Sequence, residues 1–329
     1  MANGKNGRCW VGFDLGGTKM LSAVYNSDYE SLGRKRRRTR GHEGAEIGLE
    51  RIRETIKKAL ADAERSVDQL KGIGIGCPGP LDLERGVICE APNLGWRDVK
   101  IAKYLQDEFH CPVVLSNDVD AGVYGEYVRG AARGAHCAVG IFPGTGIGGG
   151  CVYEDRILQS NNGSCMEIGH IQVVPEGPLC GCGRVGCLEA VASRLAISSA
   201  AAQAAYRGHA PKLRELAGTD LSNIRSSALA EAIQQGDRVI EEIVRRAAEF
   251  IGVAASTLVN LLAPDVVVLG GGLVEAMPEL YVKTVEKRAR KQTLATFADS
   301  FRVVAAELED DAPVIGVAAW ARKVIDSDG

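Results

Sequence analysis

The stretch WVGFDLGGTKMLSAVYN, residues 10–26, reads as strand, glycine turn, strand: Trp10–Asp14 runs into Leu15–Lys19 and returns through Met20–Asn26. That is the pattern of a β-hairpin. Laid over itself at an offset of 128 with no gap, the chain puts Val11-Gly12-Phe13 on Val139-Gly140-Ile141, Gly16 on Gly144 and Val24-Tyr25 on Val152-Tyr153. Two similar hairpins, each opening one half of the chain, point to an internal duplication.

Between and after the hairpins, helical and extended patterns alternate. Leu49, Ile52, Ile56, Leu60 and Ala63 recur at helical spacing, one apolar face against one charged face, which predicts a surface helix packed on a sheet. Strands follow at 72–76 and 112–116, the second delivering Asn117-Asp118 at its carboxyl end, the end of a strand where α/β proteins bind ligands. In the second half, apolar residues from Ile240 to Leu261 keep helical spacing until Pro264, and Asp265–Leu269 reads as a buried strand ending in Gly270-Gly271-Gly272. The class is α/β. A length of 329 residues suits two domains facing a cleft, where small ligands tend to bind.

Lys and Arg number 39 against 42 Asp and Glu, a formal charge of -3, which argues against a protein that coats nucleic acid or an anionic membrane. The run GRKRRRTR, residues 33–40, has no aromatic residue interleaved, so it reads as a solvated strand face or loop. The first residues, MANGKNGRCWVG, contain no apolar leader core, and apolar runs elsewhere fall short of a membrane span. A cytoplasmic chain with no membrane or nucleic-acid partner is expected. Seven of the ten cysteines stand singly and read as reduced, mostly buried thiols.

Two glycine-rich turns, Leu15-Gly16-Gly17-Thr18-Lys19 and Gly144-Thr145-Gly146-Ile147-Gly148, offer close backbone approach, N–H groups and a threonine hydroxyl to an anion. Either could be a tight hairpin with no ligand; the pair in duplicated halves favours a shared polyphosphate. GxGxxG matches at 144–149 and 181–186 are coincidental, since the first continues into a strand and the second is full of cysteine. No glycine loop ends in Gly-Lys-Ser or Gly-Lys-Thr.

His170, Cys180, Cys182 and Cys187 offer one imidazole and three thiolates, a donor set for a closed tetrahedral structural zinc site. A disulfide pairing leaves an odd cysteine; a set of free thiols is the other alternative. Four carboxylates lie near these motifs: Asp14 and Asp118 end predicted strands, and Glu167 and Glu189 bracket the proposed metal. Each alone is more often a cap or a surface charge.

Together these residues resemble the ROK family of sugar kinases and sugar-responsive repressors. The likeness runs over essentially the whole chain: Asp14–Lys19, Cys77–Leu81, Ala91–Trp96, Asn117-Asp118, Gly144–Gly148, Glu167–His170, Cys180 to Glu189, and Gly270–Gly272. It implies a two-domain actin-like ATPase (ribonuclease H-like) fold with duplicated β-sheet halves and a central cleft. The expected domains are 1–118 and 119–311, with a terminal helix near 312–326 packing back on the first.

The resemblance implies ATP-dependent phosphorylation of a hexose, glucose first, with N-acetylmannosamine, N-acetylglucosamine, fructose, mannose or allose behind it. Asp118 would be the general base, and Asn93, Asn117, Glu167, His170 and Glu189 would join it in holding the sugar. Asp14 would orient Mg2+. Gly16, Gly17, Thr18, Lys19, Thr145, Gly146, Gly271 and Gly272 would hold ATP, and His170 would share its ring between zinc and sugar. A homodimer or homotetramer is expected. The family's repressors carry an added helix-turn-helix domain, and nine residues before the first strand leave no room for one, so an enzyme is expected.

Overall fold

The computed structural model describes residues 7–160 and 163–327; Met1–Asn6, on which part of the leaderless reading rests, lie outside them. By its contacts the chain forms two compact units. The first takes the chain through Arg133, Arg156–Cys165 and the residues from Asp310; the second takes Gly134–Asp155 and Met166–Glu309.

In the first unit, Cys9–Leu15 is apolar along both faces and is buried almost throughout, so it is the middle strand of a sheet covered on two sides. It pairs antiparallel with Lys19–Tyr25, closing the hairpin, and parallel with Leu70–Cys77. The sheet runs in the order Ser31–Arg38, Lys19–Tyr25, Cys9–Leu15, Leu70–Cys77, Val113–Asn117. One face carries the Ala45–Asp62 helix, whose Ile52, Ile56, Ala59 and Leu60 are buried with Val11, Phe13, Ile73 and Ile75. The other face meets Ala312–Ser327, where Val314 and Ala318 pack with Leu21, Ala23 and Tyr25. Register partners Gly12 and Gly74 make that approach possible: a Cβ on either would fall about 2 Å from a carbonyl oxygen of the terminal helix, of Val314 or Val317. Asp118–Arg129 packs on the same terminal helix, and its glycine Gly125 lies against Ala312, so the helix that Asp118 begins belongs to this unit. The basic run forms the edge strand Ser31–Arg38, with Arg34 on Asp311 at 2.9 Å and Arg36 on Asp310 at 2.8 Å.

The second unit repeats the plan. Cys137–Pro143 and Ile147–Tyr153 form the second hairpin, and Cys137–Pro143 continues parallel to Val266–Leu269, which continues parallel to Arg302–Ala305. In both units a hairpin is followed by two parallel strands, the topological form of the duplication. The helix Arg238–Leu262 buries Ile240, Val244, Ile251 and Val259 against Tyr281 and Val285 of Pro278–Gln292. It ends at Ala263, in the left-handed conformation, immediately before Pro264. Among the described residues no helix is long and apolar enough to cross a membrane.

Candidate active site

Each unit places its polar motifs at the carboxyl ends of its parallel strands. In the first, Asp14 sits beside Gly76, Gly76 beside Ser116, and Cys77 beside Asn117, so the ends of three strands bring the Asp14 and Asn117-Asp118 motifs to one edge. Asn117 caps the following helix, its side chain accepting from Val119 N–H at 2.9 Å and Asp120 N–H at 3.3 Å. The cap fixes Asp118 as the first helical residue, where its own carboxylate accepts from Val119 N–H at 3.0 Å.

Burial of the Asp14 carboxyl, with the like charges of Asp118 and Asp310, pushes its pKa up to about 7, against the pull of Lys19 and Arg36. Burial also raises Asp118, against two backbone hydrogen bonds that favour its ionised form. Two carboxylates with raised proton affinity at one strand edge are the electrostatic mark of a site that handles protons or cations.

The first glycine turn is held from behind. Thr39, fully buried, donates its hydroxyl to the Gly16 carbonyl at 2.6 Å and its N–H to the Thr18 carbonyl at 2.9 Å. These two hydrogen bonds hold the turn's carbonyls against the Thr39 backbone and side chain. Asn93 lies alongside, since a Cβ on Gly17 would come within 3.3 Å of its Cβ. Lys19 is committed to Asp310, with Nζ 2.8 and 2.7 Å from the two carboxylate oxygens.

In the second unit, residues 171–174 pair back on 185–188: Val173 N–H donates to Gly186, Leu188 N–H to Ile171, and Gln172 bridges Cys187. This antiparallel knuckle carries His170 to the cysteines. Ligand atoms of His170, Cys180, Cys182 and Cys187 all lie within 4.8 Å of one another. Cys182 Sγ is 3.7 Å from Cys187 Sγ, and Cys180 Sγ is 3.7 Å from His170 Nδ1. Atoms bound at about 2.3 Å in a tetrahedron lie about 3.8 Å apart, so the side chains suit one four-coordinate metal ion through His Nδ1. The Arg184 N–H holds the Cys182 thiol down to about 6, toward the thiolate a metal needs. Among the described residues no cysteine forms a disulfide. Glu167, His170 and Cys187 line a cavity of about 710 Å³ with Arg184.

The second glycine turn meets the residue after the knuckle: Ile147 N–H donates to Glu189 Oε2 at 3.0 Å, and Thr145 Oγ1 accepts from Arg194 at 2.7 Å. Parallel pairing of Leu269 with Ile141 brings Gly271 against Pro143. A further cavity of about 780 Å³ is lined by Gly272 with Arg194, Ser222, Arg225, Ser226 and Glu275. Arg194 and Arg225 were absent from the sequence expectations; each stands alone in the sequence with no spacing to mark it.

The ROK family model matches residues 10–324, and the chain belongs to that family. It is 34% identical to a glucokinase of Halalkalibacterium halodurans over 94% of this chain and 93% of the relative. A xylose repressor of Caldicellulosiruptor bescii is 26% identical over 94% of this chain and 77% of the repressor. A ROK glucokinase from Streptomyces griseus, solved with glucose and AMPPNP, superposes at TM-score 0.81 with 31% identity, covering 96% of this chain and 99% of that one. A ROK hexokinase from Thermus thermophilus superposes at 0.83 with 34% identity, covering 98% and 100%. The fold is the two-domain α/β fold of these actin/hexokinase-type enzymes.

Proposed function

We propose that the chain transfers the γ-phosphoryl group of ATP to a hexose hydroxyl, glucose first, with Asp118 as general base. The observation that carries the reading is Asp118 itself: fixed at a helix start by the Asn117 cap, at the same strand edge as Asp14, with its proton affinity raised by burial. A base so tuned takes the hydroxyl proton as the sugar oxygen attacks phosphorus in line, while the γ-phosphorus to bridging-oxygen bond breaks and ADP leaves. Asp14 serves the magnesium of Mg–ATP through its waters, and the turns at Gly16–Thr18 and Thr145–Gly146, with Gly271 and Gly272, receive ATP. Asn93, Asn117, Glu167, His170 and Glu189 hold the sugar hydroxyls. Lys19 reaches phosphate only by giving up Asp310.

His170, Cys180, Cys182 and Cys187 would hold zinc in this reading, and such an ion would be structural, tying the knuckle together and fixing the His170 ring. A cytoplasmic homodimer or homotetramer completes it, with sedimentation as the check on assembly. A sugar-responsive regulator would leave Asp118 and the paired glycine turns without a task.

An ATP-coupled assay over a hexose panel tests the proposal: glucose is expected to give the highest kcat/KM. Phosphorylation of none of the hexoses refutes the kinase reading; preference for another sugar refutes glucose alone.

A further inference from the structure

Three hydrogen bonds join the second glycine turn to one short segment that begins at a metal ligand. From Cys187 the chain enters the helix Leu188–Ala192, caps the next helix with Ser193 and reaches Arg194. On that path Glu189 Oε2 accepts from Ile147 N–H at 3.0 Å. Arg194 donates its backbone N–H to the Gly144 carbonyl at 2.9 Å and its guanidinium to Thr145 Oγ1 at 2.7 Å. The fit is close: a Cβ on Gly146 would lie 2.4 Å from Glu189 Oε2. The other arm of the metal cluster touches the same turn. His170 ends the turn Ile168–His170, whose Gly169 sits so near that a Cβ there would fall 2.2 Å from the Ile147 carbonyl oxygen.

We infer that the metal site and the donor-phosphate turn stabilise one another through the segment Cys187–Arg194, with Glu189 and Arg194 as positioning residues for Thr145 and Ile147. The inference rests on the proposed metal and nucleotide sites and adds a linkage between them. A metal ion that pins Cys187 and His170 fixes both supports of the turn, so the turn meets a nucleotide already ordered rather than being ordered by it. Arg194 also lines the 780 Å³ cavity with Gly272, so its guanidinium lies where a bound phosphate would compete with or join the Thr145 hydroxyl. Coupling of two equilibria is reciprocal: if zinc tightens nucleotide binding by some factor, the nucleotide tightens zinc binding by the same factor.

The test uses the purified full chain and Mg–AMPPNP. Calorimetric titration compares zinc-loaded protein with protein stripped by a chelator, and equilibrium competition against a chromophoric chelator gives the zinc affinity with and without nucleotide. Zinc loading is expected to tighten AMPPNP binding about fivefold or more, and AMPPNP to tighten zinc binding by the same factor. In Arg194→Ala and Glu189→Ala the two effects should shrink to within about twofold of none while zinc still binds. Equal AMPPNP affinity with and without zinc overturns the linkage. If stripping unfolds the protein, the competition measurement on wild type beside Arg194→Ala decides alone, and equal tightening of zinc by AMPPNP in both overturns it. Loaded wild type that binds no AMPPNP, or a chain that binds no zinc, overturns the nucleotide or metal reading and the inference with it; full nucleotide and zinc binding with no linkage overturns the inference only.

Discussion

The Thr39 hydroxyl donates to the Gly16 carbonyl at 2.6 Å, a hydrogen bond from a fully buried side chain to the back of the first glycine turn. Thr39→Val keeps the shape and the backbone N–H bond to Thr18 but strands the Gly16 carbonyl. A loss of about 1–3 kcal/mol in stability is expected, with the KM for ATP rising several-fold and that for the sugar little changed. Chemical denaturation and steady-state kinetics check it; an unchanged ATP KM removes Thr39 from the phosphate turn.

Asp118→Asn keeps size and cap but removes the proposed proton acceptor. We expect kcat to fall by about a thousandfold or more, at the upper end of what a general base contributes, with sugar affinity within about threefold of wild type. Near-normal turnover overturns the assignment of the base.

The raised pKa of Asp14 gives the ligand-free protein a pH dependence. Its folded value of about 7 lies above the ordinary 3.8, so between those limits the folded state holds a proton that the unfolded state has lost. From this group alone, stability falls as pH rises from about 4 to about 7. Asp14→Asn should therefore stabilise the ligand-free chain at pH 8 by on the order of 2–4 kcal/mol, and much less at low pH, while impairing phosphoryl transfer. Thermal melts across pH check it; equal gains at both ends contradict a titrating Asp14.

Cys182→Ser removes one of the four proposed metal donors. We expect zinc content well below one per chain and a lower melting temperature, since a structural site contributes folding energy. Metal analysis beside calorimetry checks both; full zinc occupancy in the variant excludes Cys182 as a ligand.

Gly74→Ala sets a methyl group against the Val317 carbonyl, about 2.0 Å from the ideal Cβ position. Backbone faces backbone there, so little can yield. A loss of about 3 kcal/mol or more is expected, read by denaturant unfolding or as insoluble protein.

Much of this was legible because it is local. Apolar runs marked the strands ending at Asp14, Asn117 and Leu269, and the offset of the two hairpins foretold sheets of the same order. The cysteine and histidine spacing foretold the cluster, since four donors so close in sequence leave few other arrangements. What escaped depends on partners distant in sequence. Lys19 reads as a free cation beside a phosphate turn until Asp310, 291 residues on, takes its charge. Thr39 looks like the tail of a basic run until the edge strand turns it under Gly16. Asn117 reads as a polar group aimed at a ligand, and the sequence did not show that its carboxamide oxygen also caps the helix start that sets Asp118.

The terminal helix Ala312–Ser327 also fixes an order of events during synthesis. Gly12, Gly74 and the apolar residues around them belong to a face that this helix and its partner Asp118–Arg129 cover. As the chain leaves the ribosome from its N-terminus, the sheet of the first unit is complete by Asn117, yet its last cover is made almost 200 residues later. The strands of the second unit, Cys137 to Ala305, are all made in the interval. The first half to be synthesised is thus the last to be finished, and a chain cut short before Ala312 would leave the part of that face around Gly12 and Gly74 uncovered, the kind of apolar surface that chaperones bind.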